Sequence, residues 1–487
     1  MGREYCVMRA RKLHMVPAYW NILSQTGIKT EEIHGRRFSN VWSSIEEGTY
    51  QSFYQKKEWF DIGEHLKNRM LENKSYIKNI YEKQKKQGLK LVKLAKDVQK
   101  KNLDSLSKEQ LITLYEDIQE RWICFDQVNV IPWYVGGDNF QESIISELQE
   151  LRVKKKEINT LVSPPKLSFS SMEELEMHRI ALYIKKEELD ISALPEKIQD
   201  RIDSLVNKYY WIGFGYDGPE TYDQKHYITS IKEILGKDMG FIYEKIENLE
   251  LYEDSLKERQ VEIISKYDLS EEVKNHLETI YILALMTDER KEYSYQLHVS
   301  FYLVLKALAE KLSIDIWSLK YCTLDELKDF SDNPEELEQR GMARKEDIVI
   351  VHAFEKGYEV LEEDDARSLF EELMVEETET LKGQVASKGE KDIVKGTVRV
   401  LMDSSKVDKL QDHEILVTSM TAPEFVPAMR RSKAIITDEG GITCHAAIVS
   451  RELDLPCIIG TRNATKILKD GEEVEMNLVD GHIRKIK

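Results

Sequence analysis

The chain has 487 residues, a formal net charge of −18 and a hydrophobic content of 41%, which is enough for roughly two to four domains with packed cores. The acidic charge argues against a general nucleic-acid binder, because phosphate backbones are held by clustered Lys and Arg. No apolar run reaches the ~18 residues of a membrane span, and the N-terminus lacks the apolar segment of a secretory signal. We therefore expect a cytoplasmic protein.

The first elements are short strands followed by helices. Residues 1–60 form a mixed segment in which FSNVWSSIEEGTYQSFY (38–54) predicts a hairpin around Gly48. Residues 61–335 are poor in glycine and rich in Leu, Ile, Lys and Glu at helical spacing. Leu111, Ile118 and Trp122 fall on one stripe of such a helix. We therefore predict a helical domain over residues 61–335.

The chain changes character twice after the helical region. Residues 336–380 are highly charged and are predicted as a linker, with one possible strand in IVIVHAF (348–354). From residue 381 to 487, glycine returns and short Val- and Ile-rich runs alternate with turns. The runs GTVRVL, HEILVTS, KAIITDEGG, LPCIIGT and EEVEMNLVDGHIRKI predict strands, and HAAIVSREL predicts a helix. The fold class is therefore multidomain α + α/β, ending in a compact domain.

The most informative stretch is TDEGGITCHAAIVSRELDLPCIIG, residues 437–460. Gly440 and Gly441 allow backbone geometry that a Cβ would forbid and let a phosphate approach closely. Thr443 stands just before the predicted helix and can cap it. His445 then falls in the first helical turn, where the dipole favours an anion and disfavours a protonated imidazole.

A neutral histidine at this position can attack phosphorus and become a covalent phosphoryl intermediate. The alternative is that His445 only caps or packs at a helix start. The glycine pair before it and the small residues after it favour the chemical interpretation. Cys444 and Cys457 are interpreted as packing residues, and the scattered cysteines indicate neither a zinc ribbon nor a disulfide framework.

This stretch resembles the signature of the mobile phosphohistidine domain of the phosphoenolpyruvate-utilising enzymes, a family that includes phosphoenolpyruvate synthase, pyruvate phosphate dikinase and the rifampin phosphotransferases. The resemblance extends upstream through ILVTSMTAPEFVPAMRRSKAIITDEGG to GTVRVL. It implies that His445 is the phosphorylated histidine, with Thr443 as the hydroxyl residue beside it and Gly440 and Gly441 as the glycine pair. It also implies a swivelling β/β/α domain that carries phosphate between two sites, with Mg²⁺ needed at each transfer.

The resemblance does not extend to the nucleotide or phosphoenolpyruvate sites of the full-length enzymes. Neither an ATP-grasp region nor a P-loop is found before the histidine domain, and the chain stops at Lys487, where that domain should end. We therefore expect ATP, or phosphoenolpyruvate, to be bound with Mg²⁺ by a partner chain, namely an ATP-grasp subunit. No motif of this chain predicts a metal site.

Two aromatic clusters in the helical region, at 120–140 and 209–223, are candidates for an acceptor site. Apolar pockets edged with a few polar groups bind small organic molecules. The lining residues would be Trp122, Trp133, Tyr134, Trp211 and Tyr216, with Asp138 or Asp217 near the acceptor hydroxyl. The alternative is that these aromatic residues form helical core.

The leading hypothesis is an enzyme component, a kinase-like phosphotransferase that passes a phosphoryl group from His445 to a small organic acceptor. The alternative is a non-catalytic phosphocarrier or regulatory module that docks to partner proteins. A third possibility, a relative that has lost phosphate chemistry, is disfavoured by the intact histidine motif.

Overall fold

The structure is a computed structural model that describes residues 5–12, 15–46, 48–73, 75–129, 140–215, 218–373, 381–389, 391–441, 444–461 and 463–486. The chain divides into two compact units. Unit 1 comprises residues 1–90, 96–142 and 303–487, and unit 2 comprises residues 91–95 and 143–302. None of the helices in the described ranges has both the length and the apolar character that crossing a membrane requires.

The N-terminal part of unit 1 contains a five-stranded antiparallel sheet with the strand order β1-β3-β2-β4-β5. Its strands are β1 Tyr5–Lys12, β2 Asn40–Glu46, β3 Thr49–Gln55, β4 Val349–Phe354 and β5 Gly357–Glu362. The predicted hairpin at 38–54 is confirmed by the β2–β3 pair, and the predicted strand at 348–354 is confirmed as β4.

The segment 336–380 differs from the predicted linker, because β4 and β5 lie in the same sheet as the N-terminal strands. Val351 pairs with Ser43 in β2, although more than 300 residues separate them in the sequence. Ile348 and Ile350 also pack into a buried cluster with Phe53. Charged residues dominate the segment's composition, but its apolar positions are the ones that the sheet buries.

Helices of unit 1 pack against this sheet, among them Met15–Thr26 and Lys56–Glu72, and unit 1 also includes the predicted amphipathic helix, α5 (Lys108–Asn129). Leu111, Ile118 and Trp122 are buried on α5, as the predicted stripe requires. The helices are α1 Met15–Thr26, α2 Ile28–His34, α3 Lys56–Glu72, α4 Tyr76–Gln99, α5 Lys108–Asn129, α13 Glu271–Leu312, α14 Ile316–Lys320, α15 Leu324–Phe330, α16 Pro334–Glu346 and α17 Glu363–Leu373. Parts of α4 and α13 belong to unit 2.

Unit 2 is helical, as predicted for this part of the chain. Several helices begin at a side-chain cap: Ser168 accepts a hydrogen bond from the Ser171 amide, and Asp238 accepts one from the Phe241 amide. The helices are α6 Phe140–Glu150, α7 Lys155–Val162, α8 Phe169–Lys186, α9 Glu196–Tyr209, α10 Gln224–Leu235, α11 Met239–Glu250 and α12 Tyr252–Lys266. Their core is built around Trp211, Tyr227 and Tyr295.

The C-terminal domain of the chain contains an eight-stranded mixed sheet with the order β6-β13-β12-β8-β9-β10-β11-β7. Its strands are β6 Leu381–Lys382, β7 Gln384–Ser387, β8 Ile393–Val400, β9 Ile415–Thr418, β10 Ala434–Thr437, β11 Cys457–Ile459, β12 Glu473–Asn477 and β13 His482–Lys485. Its helices are α18 Val426–Arg431, α19 His445–Glu452 and α20 Ala464–Ile467.

Both faces of this sheet are buried, which explains the continuous apolar runs in its strands. Successive side chains of a strand point to opposite faces. Ile436 accordingly packs into one apolar cluster, while its neighbour Ile435 packs into the other together with Cys457. The predicted strands and the predicted helix HAAIVSREL are confirmed, and so is the overall class of a large helical region followed by a C-terminal β domain.

Candidate active site

The site lies where three parallel strands of the C-terminal sheet end. β9, β10 and β11 run side by side, with Thr437 paired to Thr418 and Ile436 paired to Ile458. Parallel strands present their carboxyl ends at one edge of the sheet, which is where ligands bind in such sheets. The loops after β9 and β10 therefore converge there, and they carry Thr421 and Gly440.

Hydrogen bonds fix these loops to one another. The Glu439 amide donates to the Ser419 carbonyl at 2.9 Å, and the Thr461 amide donates to the Thr437 carbonyl at 3.0 Å. The Asp438 carboxylate is buried and accepts from the Thr465 amide at 3.0 Å. The loop backbone at this edge of the sheet is therefore held by hydrogen bonds to the segments on both sides of it.

His445 is the first residue of α19 and is half-buried. The residue that caps this helix is Cys444, whose Sγ accepts a hydrogen bond from the Ala447 amide at 3.4 Å. This corrects the predicted cap: the helix begins one residue later than a Thr443 cap requires, and Thr443 itself lies outside the described residues. The imidazole stands at the positive end of the helix, as predicted, where an anion is favoured.

The ring of His445 is oriented by a residue that the sequence analysis did not identify. Thr421 Oγ1 lies 2.8 Å from His445 Nδ1, and Thr421 is buried. A hydroxyl that accepts from Nδ1–H fixes the tautomer in which Nε2 carries the lone pair. The only signal in the sequence is a threonine shortly after a strand, in SMTAPEF, with nothing to connect it to a histidine 24 residues later.

Gly440 has a backbone conformation of the kind that was predicted for the glycine pair. Gly440 has φ +119°, a conformation that residues with a Cβ rarely adopt, and a Cβ there would lie 2.6 Å from the Sγ of Cys444. The Gly441 carbonyl accepts from the Cys444 amide at 2.8 Å, which closes the turn into the helix. The pair therefore brings backbone close to the start of α19.

The aromatic residues proposed for an acceptor pocket belong to different units. Trp122 lies on α5 of unit 1, with its ring 6.0 Å from that of Phe125. Trp211 is 1% exposed in the core of unit 2, with its ring 5.1 Å from that of Phe169. The remaining candidates lie outside the described residues: Trp133, Tyr134, Asp138, Tyr216 and Asp217. The acceptor pocket thus stays a prediction.

No group of His, Cys, Asp and Glu side chains within the described ranges is arranged to hold a metal ion. The residues around His445 offer backbone amides, a hydroxyl and an imidazole, which suit a phosphate better than a bare divalent cation. The Mg²⁺ expected during transfer stays a prediction.

Comparison with known proteins supports the identity of this domain. Residues 410–481 match the family described as "PEP-utilising enzyme, mobile domain". A probable phosphoenolpyruvate synthase of Archaeoglobus fulgidus is 52% identical over 110 residues, which is 22% of this chain and 14% of that protein. The phosphoenolpyruvate synthase of Pyrococcus furiosus is 54% identical over 112 residues, 23% of this chain and 13% of that protein.

Among solved structures, the holo-form aconitase X of Thermococcus kodakaraensis aligns with 22% of this chain and 98% of its own, at 20% identity and a TM-score of 0.18. That score supports no conclusion about the fold. The sequence matches span about a seventh of the length of the curated relatives, so they describe the C-terminal domain alone. By its motif, its family match and its relatives, the C-terminal domain of this chain belongs to the mobile-domain family of the phosphoenolpyruvate-utilising enzymes.

Proposed function

We propose that His445 carries a phosphoryl group on Nε2 between a donor site and a small organic acceptor, as part of a phosphotransferase. The observation that carries this proposal is the contact between Thr421 Oγ1 and Nδ1 at the head of α19. The contact orients the ring, and the positive end of α19 beside it favours the transferred anion.

The chemistry requires one nucleophile and one proton position. Nε2 attacks the donor phosphorus, a new N–P bond forms, and the bond from phosphorus to the donor oxygen breaks with its electron pair. Nδ1 keeps its proton throughout and donates a hydrogen bond to Thr421 Oγ1. The second transfer reverses these roles, because an acceptor oxygen attacks phosphorus and Nε2 recovers its electron pair.

The donor in this proposal is ATP or phosphoenolpyruvate, bound with Mg²⁺ on a partner chain such as an ATP-grasp subunit. The name phosphoenolpyruvate synthase, carried by the relatives of the C-terminal domain, supports a donor of this kind. Phosphoryl transfer depends mainly on positioning and charge neutralisation, which the metal at the donor site would supply.

A phosphocarrier that signals by docking is the second candidate. The observation that favours it is the restriction of the family match to the carrier domain, residues 410–481. This candidate shares the chemistry of His445 with the first. It differs only in the partner, which recognises the phosphorylated histidine instead of accepting the phosphate.

Intact-protein mass spectrometry tests the proposal directly. The full chain is incubated with Mg²⁺ and ATP, or with phosphoenolpyruvate, in the presence of an ATP-grasp chain from the same source. We expect an acid-labile gain of one phosphate that is absent in His445→Ala and retained in the control His482→Ala, a half-exposed histidine of the same domain. No gain with either donor, or an equal gain in His445→Ala, would contradict the proposal.

A further inference from the structure

The strand β5 lies at one edge of the five-stranded sheet, next to β4. The two strands pair without a register shift, from Gly357 opposite Phe354 to Glu362 opposite Val349. In an antiparallel pair, every second residue of an edge strand points its N–H and C=O groups away from the neighbouring strand. Within the described part of the chain, no backbone hydrogen bond joins β5 to any element other than β4. This side of the sheet can therefore pair with another strand.

A cleft of about 760 Å³ is lined by every residue of β5, from Gly357 to Glu362. Successive side chains of a strand point to opposite faces of a sheet. A cleft on one face would therefore be lined mainly by alternate residues of the strand. The uninterrupted run from Gly357 to Glu362 indicates that the cleft lies along the edge itself, where the outward backbone groups are.

The other side chains that line the cleft come from α15, α16 and the first residues of α17, all within unit 1. Hydrogen bonds hold several of them against β5. Tyr358 Oη donates to the Asp325 carboxylate at 2.7 Å. Arg344 donates to Glu326 at 2.7 Å and to Glu362 at 2.6 Å. The walls of the cleft are therefore fixed relative to the strand, and the space beside β5 is part of the folded unit.

The charge of this cleft is strongly negative. Seven carboxylates and two arginines line it, and both arginines contact Glu326. The carboxylates of Asp329, Glu363 and Asp365 are exposed, and none of them forms an ion pair with another described residue. Like charges on adjacent strands are destabilising and opposite charges are stabilising. An acidic strand is therefore repelled from this edge, whereas a basic one is attracted to it.

We infer that the β5 edge binds an extended, basic segment of a partner protein as an additional strand of the five-stranded sheet. Main-chain hydrogen bonds to the edge strand supply affinity in this mode of recognition, and the surrounding side chains supply specificity. Natural proteins often block an edge with lysine, proline or a bulge, and β5 has none of these. Lys or Arg side chains of the added strand would lie beside the carboxylates of the cleft.

Fluorescence anisotropy with the full chain tests this binding, using three short labelled peptides as probes. A peptide of alternating lysine and valine should bind. A peptide of alternating lysine and proline carries the same charge, but its prolines lack the N–H group that an added strand donates. It should bind at least about tenfold more weakly, the ratio that about 1.4 kcal/mol produces. A peptide of alternating glutamate and valine should not bind.

Substitutions in the protein test the role of the cleft's charge. The double variant Asp329→Asn with Asp365→Asn should weaken binding of the lysine–valine peptide by about threefold to tenfold, since each exposed ion pair contributes modestly. The matched control is Glu371→Gln with Glu372→Gln, because these two glutamates are exposed on α17 but lie outside the cleft. The control should bind the peptide as the unsubstituted chain does, and both double variants should keep its melting temperature.

Hydrogen exchange locates the peptide on the sheet. Bound lysine–valine peptide should slow exchange of the β5 amides, because an added strand accepts hydrogen bonds from those that point outward. Exchange in β1, the strand at the opposite edge, should not change. The inference is overturned if the lysine–valine peptide does not bind, if the lysine–proline peptide binds equally well, or if binding leaves β5 exchange unchanged. None of these results bears on phosphorylation of His445, which lies outside the cleft.

Discussion

The two sheets of unit 1 bury different kinds of side chain. The eight-stranded sheet buries apolar residues on both faces, and its chemistry lies at the strand ends, with Thr421 and His445. The five-stranded sheet buries polar residues within a packed face, such as Ser43 and Tyr50. The two polar residues at the strand ends lie 24 residues apart, whereas β2, which carries Ser43, pairs with β4 from a segment more than 300 residues away.

The largest predicted effect concerns the ion pairs of Arg344, which connect segment 336–380 to α15. Arg344 on α16 is 3% exposed and contacts Glu326 at 2.7 Å and Glu362 at 2.6 Å. Burial raises the pKa of Glu326, but hydrogen bonds from Arg344 outweigh it, and the net pKa lies below the ordinary value. Arg344→Met should reduce the free energy of unfolding by about 3 kcal/mol, because it removes the closest cation from the half-buried Glu326 carboxylate.

Urea unfolding of the full chain measures this loss. The matched control is Arg340→Met, since Arg340 is a third exposed and contacts Glu326 only at 3.4 Å. We expect that control to cost less than about 1 kcal/mol. Equal losses in the two variants would show that the buried pair does not anchor the segment.

The second prediction is a pH dependence that should arise in the five-stranded region. His34 is buried, with Nε2 2.7 Å from the Gln127 carbonyl and Nδ1 3.1 Å from Tyr76 Oη. Burial lowers the pKa of His34 from 6.5 to about 4. The unfolded chain therefore takes up this proton first as the pH falls, so stability is lost between pH 6.5 and about 4, by roughly 3 kcal/mol in total.

Denaturant unfolding at pH values from 7 to 4 follows this loss, with His34→Gln as the comparison. The variant should lack the part of the acid loss that belongs to His34. If the unfolding free energies of the two proteins decline in parallel over this range, a neutral buried His34 is not the cause.

The third prediction concerns the carrier site. Thr421→Val keeps the shape of the side chain but removes the oxygen that contacts His445 Nδ1 at 2.8 Å. Phosphorylation of His445 should slow by about 10- to 100-fold, the usual effect of losing the partner that orients a reactive imidazole. Thr421→Ser should restore most of the rate, because it restores the hydroxyl.

The rate is followed by intact mass at several pH values. A purely structural role for Thr421 would lower the stability of the domain without changing the pH profile of phosphorylation. A positioning role changes that profile, since the tautomer of His445 is then no longer fixed. A rate for Thr421→Val equal to that of the unsubstituted protein would contradict the assignment.

The smallest predicted effect comes from the glycine pair. Gly440→Ala would place a Cβ 2.6 Å from Cys444 Sγ at φ +119°. We expect a loss of stability of about 1–3 kcal/mol from backbone strain, and slower phosphorylation because the start of α19 shifts. Gly471→Ala is the control, since it has φ +84° with no atom within 4 Å of the added Cβ. If both variants are phosphorylated at the same rate, the contact with Cys444 does not affect phosphorylation of His445.

The sequence was sufficient for the strands and the histidine helix of the C-terminal domain, because each of these elements is local. The glycine turn, the histidine and the helix that follows occupy one short stretch, and the strands read as apolar runs because both sheet faces are buried. Thr421 could not be assigned from the sequence, since its contact with His445 depends on the parallel register of β9 and β10.

The pairing of the five-stranded sheet could not be predicted from the sequence. β2 and β4 pair although they lie in distant parts of the chain, and no periodicity in 336–380 indicates which strand receives β4. The charged residues around Arg344 were interpreted as part of a linker, whereas the fold uses that arginine in a buried ion pair. The aromatic acceptor pocket stays a prediction, since most of its predicted lining residues lie outside the described part of the chain.

The most direct test of the central claim is the position of the phosphoryl group on the ring. Phosphorylated protein with ¹⁵N-labelled histidine is examined by ³¹P and ¹⁵N NMR, with His445→Ala to assign the signal. Because Thr421 contacts Nδ1, we predict phosphorylation of His445 at Nε2 with the proton on Nδ1. Phosphate on Nδ1, or on a different residue, would contradict the account.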